Sequence, residues 1–280
     1  LAKIGRNNLL EVIKFEPQGA YLQGGWLGEI LLPKRYVPED CEVGDPLNVF
    51  VYLDSKDRFI ATTQTPRAQV GEVAFLEVTD VNNIGAFLDW GLPKDLLVPY
   101  NQQHMTMEVG KSYLVYIYTD EETHRIAAST KLNKYIGRLP NDYKQGQKVD
   151  LAISATTDLG YSAVIDNQYW GLLFFSDVVR PLKIGQKVKG FIKQVRNDGK
   201  VDLSLHAPGF KKIENLAERV LDRLEKSEGY LPLSDKSKPE EIYDAFSISK
   251  KAFKTAIGTL YKQRQIRIES DGIYLIKTGE

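Results

Sequence analysis

The sequence predicts a mainly β chain with a smaller α part: three tandem five-stranded β-barrels followed by a domain of three helices and a β-hairpin. Two observations lead there. Glycines and small hydroxyl residues recur at one spacing through most of the chain, the mark of an internal repeat. Beyond Pro208 the apolar residues change from a period of two to one of 3.6.

The repeat has three landmarks. A glycine opening a short strand recurs at Gly19 (GAYLQ), Gly85 (GAFLDW) and Gly160 (GYSAVI). A turn glycine recurs at Gly44, Gly110 and Gly185, and a hydroxyl residue closing a strand at Thr63, Ser129 and Ser204. Each landmark shifts by 66 residues from the first copy to the second and by 75 from the second to the third. Within the copies, alternating sets such as Leu47, Val49, Val51, then Leu114, Tyr116, Tyr118, then Val188, Gly190, Ile192 lie between Gly, Pro and Asp turns and read as strands. Five such strands per copy close into a small barrel with its own core. The nine extra residues before the third copy fall in KLNKYIGRLP, a polar segment ended by Pro140 that reads as a linker. Barrel 1 is thus expected over residues 1–65, barrel 2 over 66–130, and the linker with barrel 3 over 131–209.

In residues 210–280, Ile213, Leu216, Ala217, Val220, Leu221 and Leu224 form one helical face, ended by Gly229. A second helix starts at Pro239, a residue suited to the first turn, and runs to Phe246. Ser249 caps a third, which buries Phe253, Ala256, Ile257 and Leu260. Strands with Ile266 and Ile268, then Ile273 and Leu275, flank a Ser270–Gly272 turn. That order is a winged helix.

The stretch VGEVAFLEVTDVNNIGAFLDWGLPKDLLVP, followed by VGKSYLVYIYTDEETHRIAAS, is similar to the S1 RNA-binding domain, a barrel of the OB type. GLLFFS and IGQKVKGFIKQVRNDGKVDLSL look like the same domain's later strands, while the first copy is the most divergent. Three such barrels and a winged helix resemble the conserved virulence factor B family of bacterial RNA-binding proteins over nearly the whole chain. The resemblance implies stacking aromatics at Tyr21 and Phe87. In the third copy that slot is Ser162, with Tyr161 one residue before it, and Phe174 holds the place where many S1 domains carry a stacking His. It also implies an acidic position at Asp54 and Asp120, with Arg58 and Arg125 nearby.

Charge points to the C-terminal half. The whole chain has 37 basic and 37 acidic side chains, which argues against a purely charge-driven polyanion binder. Residues 1–65 carry 7 basic and 9 acidic side chains and 66–130 carry 4 and 9, a net −7; residues 131–209 carry 12 and 7 and 210–280 carry 14 and 12, a net +7. If Val188, Gly190 and Ile192 face the core, then Lys187, Lys189, Phe191 and Lys193 share the outer face, and Arg196 and Lys200 extend it. Cations that follow a backbone, mixed with aromatics that stack on bases, suit single-stranded nucleic acid. In the winged helix, Lys250 and Lys251 sit in the first turn of the third helix, where the dipole disfavours cations, which suggests a ligand, and with Lys254 they would form the phosphate-facing side of a recognition helix.

Other classes are disfavoured. No apolar run approaches the ~20 residues that span a bilayer. The single cysteine, Cys41, fits a reducing compartment. The chain begins at Leu1 without a methionine, which reads as trimming or processing, and no secretory signal pattern is expected from its first residues. His104, His124 and His206 have no metal spacing, no phosphate-binding glycine loop or nucleophile turn occurs, and the pairs Asp54/Asp57 and Asp198/Asp202 are expected at hairpin turns. The expectation is a non-enzymatic, cytoplasmic, monomeric protein without a cofactor. It would hold single-stranded RNA on barrel 3 and the winged helix, with mRNA or the ribosome as partner, in post-transcriptional regulation or translation. The alternative is a DNA-binding transcription regulator whose third helix enters a major groove while the barrels bind protein.

Overall fold

The computed structural model describes residues 1–137, 142–178, 181–206 and 211–276, with the side chains of 211–215 left aside. It has two units, Leu1–Leu205 and His206–Glu280. The first holds three barrels. Barrel 1 contains β1 (Asn7–Glu16), β2 (Gly19–Gln23), β3 (Glu29–Pro33), β4 (Pro46–Leu53) and β5 (Phe59–Thr62). Barrel 2 contains β6 (Val73–Val81), β7 (Gly85–Leu88), β8 (Leu96–Pro99), β9 (Ser112–Thr119) and β10 (Ile126–Ser129). Barrel 3 contains β11 (Lys148–Thr156), β12 (Gly160–Ile165), β13 (Tyr169–Phe174), β14 (Lys187–Val195) and β15 (Val201–Ser204). All three close in the same order, with the fifth strand between the third and fourth and parallel to the third.

The repeated glycines have a physical reason. Gly19, Gly85 and Gly160 start the second strands at φ of +151°, +155° and +159°, and a Cβ there would lie 2.0–2.2 Å from the carbonyl oxygen of Leu32, Val98 or Leu173. Only glycine admits that approach. The turn glycines act as clasps on a bulge in the first strand: Gly44, Gly110 and Gly185 donate their N–H groups to the carbonyls of Val12, Val78 and Ile153.

The third landmark slips by one residue in barrel 1. The register pairs Phe50 with Thr62, Tyr116 with Ser129 and Phe191 with Ser204, so Thr62, not Thr63, is the buried hydroxyl. Barrel 1 is one residue shorter here: barrel 2 closes its hairpin between Asp120 and Arg125 against Asp54 and Arg58 in barrel 1, while barrel 3, closed between Arg196 and Lys200, gains its extra residue as a bulge between Ile192 and Gln194. A similar slip affects β9, whose core residues are Val115 and Ile117, so Leu114, Tyr116 and Tyr118 face outward.

Those outward residues are apolar because they are covered. The expected linker is largely a packed element: Leu132 and Ile136 are buried with Val73, Ala152 and Val164 between barrels 2 and 3. Tyr135 stacks on Tyr116 at 4.6 Å and on Tyr118 at 5.2 Å, and burial pushes its hydroxyl up to about 12. Pro140 lies outside the described residues. Barrels 1 and 2 are joined more deeply. Phe50 and Tyr52 of β4 belong to the core of barrel 2, where Phe50 meets Trp90 edge-on at 5.6 Å. Arg125 donates across to Asp57 at 3.0 Å, so it serves as an inter-barrel staple and not as the partner of Asp120.

The second unit is the winged helix. It contains α1 (Lys211–Lys226), β16 (Tyr230–Leu231), α2 (Pro239–Phe246), α3 (Lys250–Lys262), β17 (Ile266–Ile268) and β18 (Ile273–Leu275). Its core draws Leu216, Val220 and Leu224 from α1, Ile242 and Phe246 from α2, and Phe253, Ile257 and Leu260 from α3. Ile213 lies outside the described side chains. The expected hairpin has a third member, β16, which pairs with β18.

Gly85→Ala tests the crossing constraint. The added methyl at φ +155°, 2.2 Å from the Val98 oxygen, should cost at least ~1–3 kcal/mol in backbone strain and lower the thermal midpoint. An unchanged midpoint would mean the strands separate freely.

Candidate nucleic-acid interface

The three barrels present the same face, made by their second, third and fifth strands, with different chemistry. In barrel 1 it carries Tyr21 on β2 and Glu29, Leu31 and Pro33 on β3. Lys14 lies 4.7 Å over the Tyr21 ring but is bonded to Glu29 at 2.6 Å and Glu16 at 3.2 Å, and those carboxylates raise its pKa. In barrel 2 the face carries Phe87 and Leu97 beside Asp80 and Asp95, the last holding the Thr79 hydroxyl at 2.9 Å. Both faces are therefore acidic or internally neutralised.

Barrel 3 reverses the pattern. Strand alternation around the buried Leu173 turns Trp170, Leu172 and Phe174 of β13 outward, while the second-strand slot is Ser162. A groove of about 530 Å³ runs over this face. Its floor is Gly171, Leu172 and Val201, and Asn133 of the inter-barrel segment stands in its wall. Arg196 and Lys200 line it from the hairpin between β14 and β15, and Thr157, Ser162 and Asp202 add polar groups. Trp170 packs against the buried inter-barrel cluster, and its buried indole N–H finds no acceptor among the described residues. Trp170, Ser162, Asn133 and Thr157 were not among the residues expected to form a site, although the alternation of WGLLF already sets Trp170 beside Phe174.

The expected residues divide into two groups. Phe174, Lys193, Arg196 and Lys200 come together: Lys193 Nζ lies 5.6 Å and the Arg196 guanidinium 5.7 Å from the centre of the Phe174 ring, within cation–π range. A bulge in the β14–β15 pairing between Ile192 and Gln194 accompanies this placement of Lys193. Lys187, Lys189 and Phe191 instead run along β14 beside β11, with core-facing Val188 and Gly190 between them. Phe191 is half-buried, at the register position held by the buried Phe50 and the stacked Tyr116 in the other barrels. Tyr161 does not belong to the surface. It is only 6% exposed, packs edge-on to Phe175 at 5.3 Å, and its hydroxyl accepts the Leu182 N–H, because it follows the core-facing phase of β12.

Most of the cations have acid partners. Lys189 pairs with Asp150, Lys193 with Asp177 at 2.7 Å and Lys200 with Asp198 at 3.3 Å. Among the described residues no carboxylate lies within 4 Å of Lys187. Arg196 differs, since Asp202 is not at a turn but buried in β15, where Arg196 Nε (2.9 Å) and Gln194 Nε2 (2.6 Å) both donate to it. That carboxylate raises the Arg196 pKa further. In the winged helix, the Ser249 hydroxyl accepts the Ala252 N–H, Lys251 and Lys254 are exposed and Lys250 is half-buried. Lys254 lies 3.6 Å from Asp235.

Two family models and several known proteins match the chain. A family model described as the S1 domain matches residues 4–64 and 70–131, and one described as the CvfB-like winged helix domain matches residues 218–275. The chain is 27% identical over 287 residues to conserved virulence factor B of Staphylococcus saprophyticus, covering 99% of this chain and 95% of that one. It is 26% identical over 285 residues to the Staphylococcus aureus protein of the same name, with the same coverage. A crystal structure of a multidomain protein with nucleic acid binding domains from Streptococcus pneumoniae aligns over 98% of both chains at 25% identity, with a TM-score of 0.40.

Asp202→Ala should leave Arg196 and Gln194 without their shared acceptor. The expected cost is ~1–3 kcal/mol of stability, measured by denaturant titration, with a looser β14–β15 hairpin in amide exchange.

Proposed function

The chain belongs to the conserved virulence factor B family, and on that premise we propose that it is a non-enzymatic, cytoplasmic RNA-binding protein acting on mRNA or at the ribosome. Single-stranded RNA lies on barrel 3, and Lys250, Lys251 and Lys254 of the winged helix add phosphate contacts. One observation carries this reading: the Trp170–Leu172–Phe174 strip, with Lys193 and Arg196 around the Phe174 ring. Stacking surfaces beside cations are what an unpaired strand needs, since every base has a π face and every linkage a charge. Tyr21 and Phe87 hold the equivalent slot in acidic surroundings and contribute less, because phosphate contacts dominate affinity. Lys187, Lys189 and Phe191 extend the track along β14.

The exposed ion pairs are no obstacle. Such pairs are worth about 0–1 kcal/mol, so a phosphate can replace Asp150, Asp177 or Asp198 at small cost. Duplex DNA at α3 is the competing reading.

Competition binding with fluorescent single-stranded RNA separates the two: unlabelled single-stranded RNA should displace it and duplex DNA should not. With four to six phosphate contacts the log–log salt slope should be roughly −3 to −4. Phe174→Ala should cost ~1–3 kcal/mol of binding with an unchanged slope, whereas Lys187→Ala should flatten the slope by about 0.7. Tighter binding of the duplex, or a flat salt dependence, would refute the reading.

A further inference from the structure

Barrels 1 and 2 fill the outward slot of the second strand with a ring, and barrel 3 does not. Tyr21 lies opposite Leu31, Phe87 opposite Leu97, and Ser162 opposite Leu172, so the three positions are equivalent. The groove of about 530 Å³ opens at the one position of the three that lacks a ring. Its floor of Gly171, Leu172 and Val201 is apolar, while the side chains of Ser162 and Asn133 have no hydrogen-bond partner among the described residues. Arg196 and Lys200 bring positive charge to the same cavity.

We propose that this groove receives a nucleobase of single-stranded RNA in place of the missing ring, over Leu172 and beside Trp170, with Arg196 and Lys200 toward the adjoining phosphates. The proposal rests on the RNA-binding reading and deepens it: the base enters a cavity rather than stacking on an aromatic of the second strand. An apolar floor takes the flat face of a base, the Ser162 hydroxyl and Asn133 amide meet its polar edge, and the cations answer the charge of its backbone. A peptide ligand lacks that combination of a flat heteroaromatic face and flanking anions.

Ser162→Phe in the full chain supplies the ring that barrels 1 and 2 carry. The expected result is a thermal midpoint at or above that of the parent and an RNA affinity lower by about tenfold or more, as for losing one stacked base. Ser162→Ala, which keeps the cavity, should bind within about threefold of the parent, the scale of one neutral hydrogen bond. An oligoribonucleotide carrying 4-thiouridine should photocrosslink to Trp170 or Leu172 in the parent and lose that crosslink in Ser162→Phe. Unchanged or tighter RNA binding by Ser162→Phe overturns the proposal and leaves the functional reading standing, as do crosslinks confined to Lys187, Lys189 and Phe191. Absence of RNA binding by the parent overturns both. Should Ser162→Phe fail to fold, Ser162→Leu and the parent's crosslink positions decide the question in the same way.

Discussion

The close crossing of the second strand over the third governs what each barrel displays. Gly19, Gly85 and Gly160 lie against the carbonyls of Leu32, Val98 and Leu173, where no side chain fits. With that approach pinned, the register between the strands is fixed, and with it the phase of everything that points outward. Because side chains alternate along a strand, a shift of one residue would turn Trp170, Leu172 and Phe174 into the core and leave Leu173 on the surface. The face that each barrel displays is thus a product of backbone geometry before the side chains on it are chosen. The side chains placed on it then differ freely, as Tyr21, Phe87 and Ser162 do.

This explains what the sequence made legible. The barrels could be counted because their glycines answer a steric demand that no other residue meets, and the winged helix because a 3.6 period and the Ser249 cap are local signals. What stayed hidden depended on distant partners. The outward side of β9 looked like a core face because Tyr116 and Tyr118 are apolar, yet they are covered by Tyr135 of the segment that follows. The displacement of Thr63 by Thr62 comes from one residue that barrel 2 adds in its hairpin and barrel 3 as a bulge. Tyr161 and Asp202 read as surface groups until the register sends them inside, and the significance of Ser162 lies in the rings that the other two barrels carry at the equivalent place.

Charge behaves in a similar way at two scales. The excess of seven positive charges in the second half of the chain is real, yet at the level of contacts Lys189, Lys193, Lys200 and Lys254 each have a carboxylate nearby. Net charge sets the long-range attraction for a polyanion, while the local pairs hold flexible side chains near one geometry until a phosphate displaces the acid. Arg196 stands apart, because its partner is buried: the Asp202 carboxylate holds it in one place beside Phe174.

The sharing of Phe50 and Tyr52 between neighbouring barrels separates two notions of a module. As a unit of repetition, the copy is one five-stranded barrel, recurring at offsets of 66 and 75 residues. As a unit of cohesion, the first copy is unfinished, because part of its fourth strand completes the interior of the second. A staggered seam of this kind makes the array hard to take apart: once part of a strand is lent to a neighbour, removing either barrel would lay bare the apolar interior of the other.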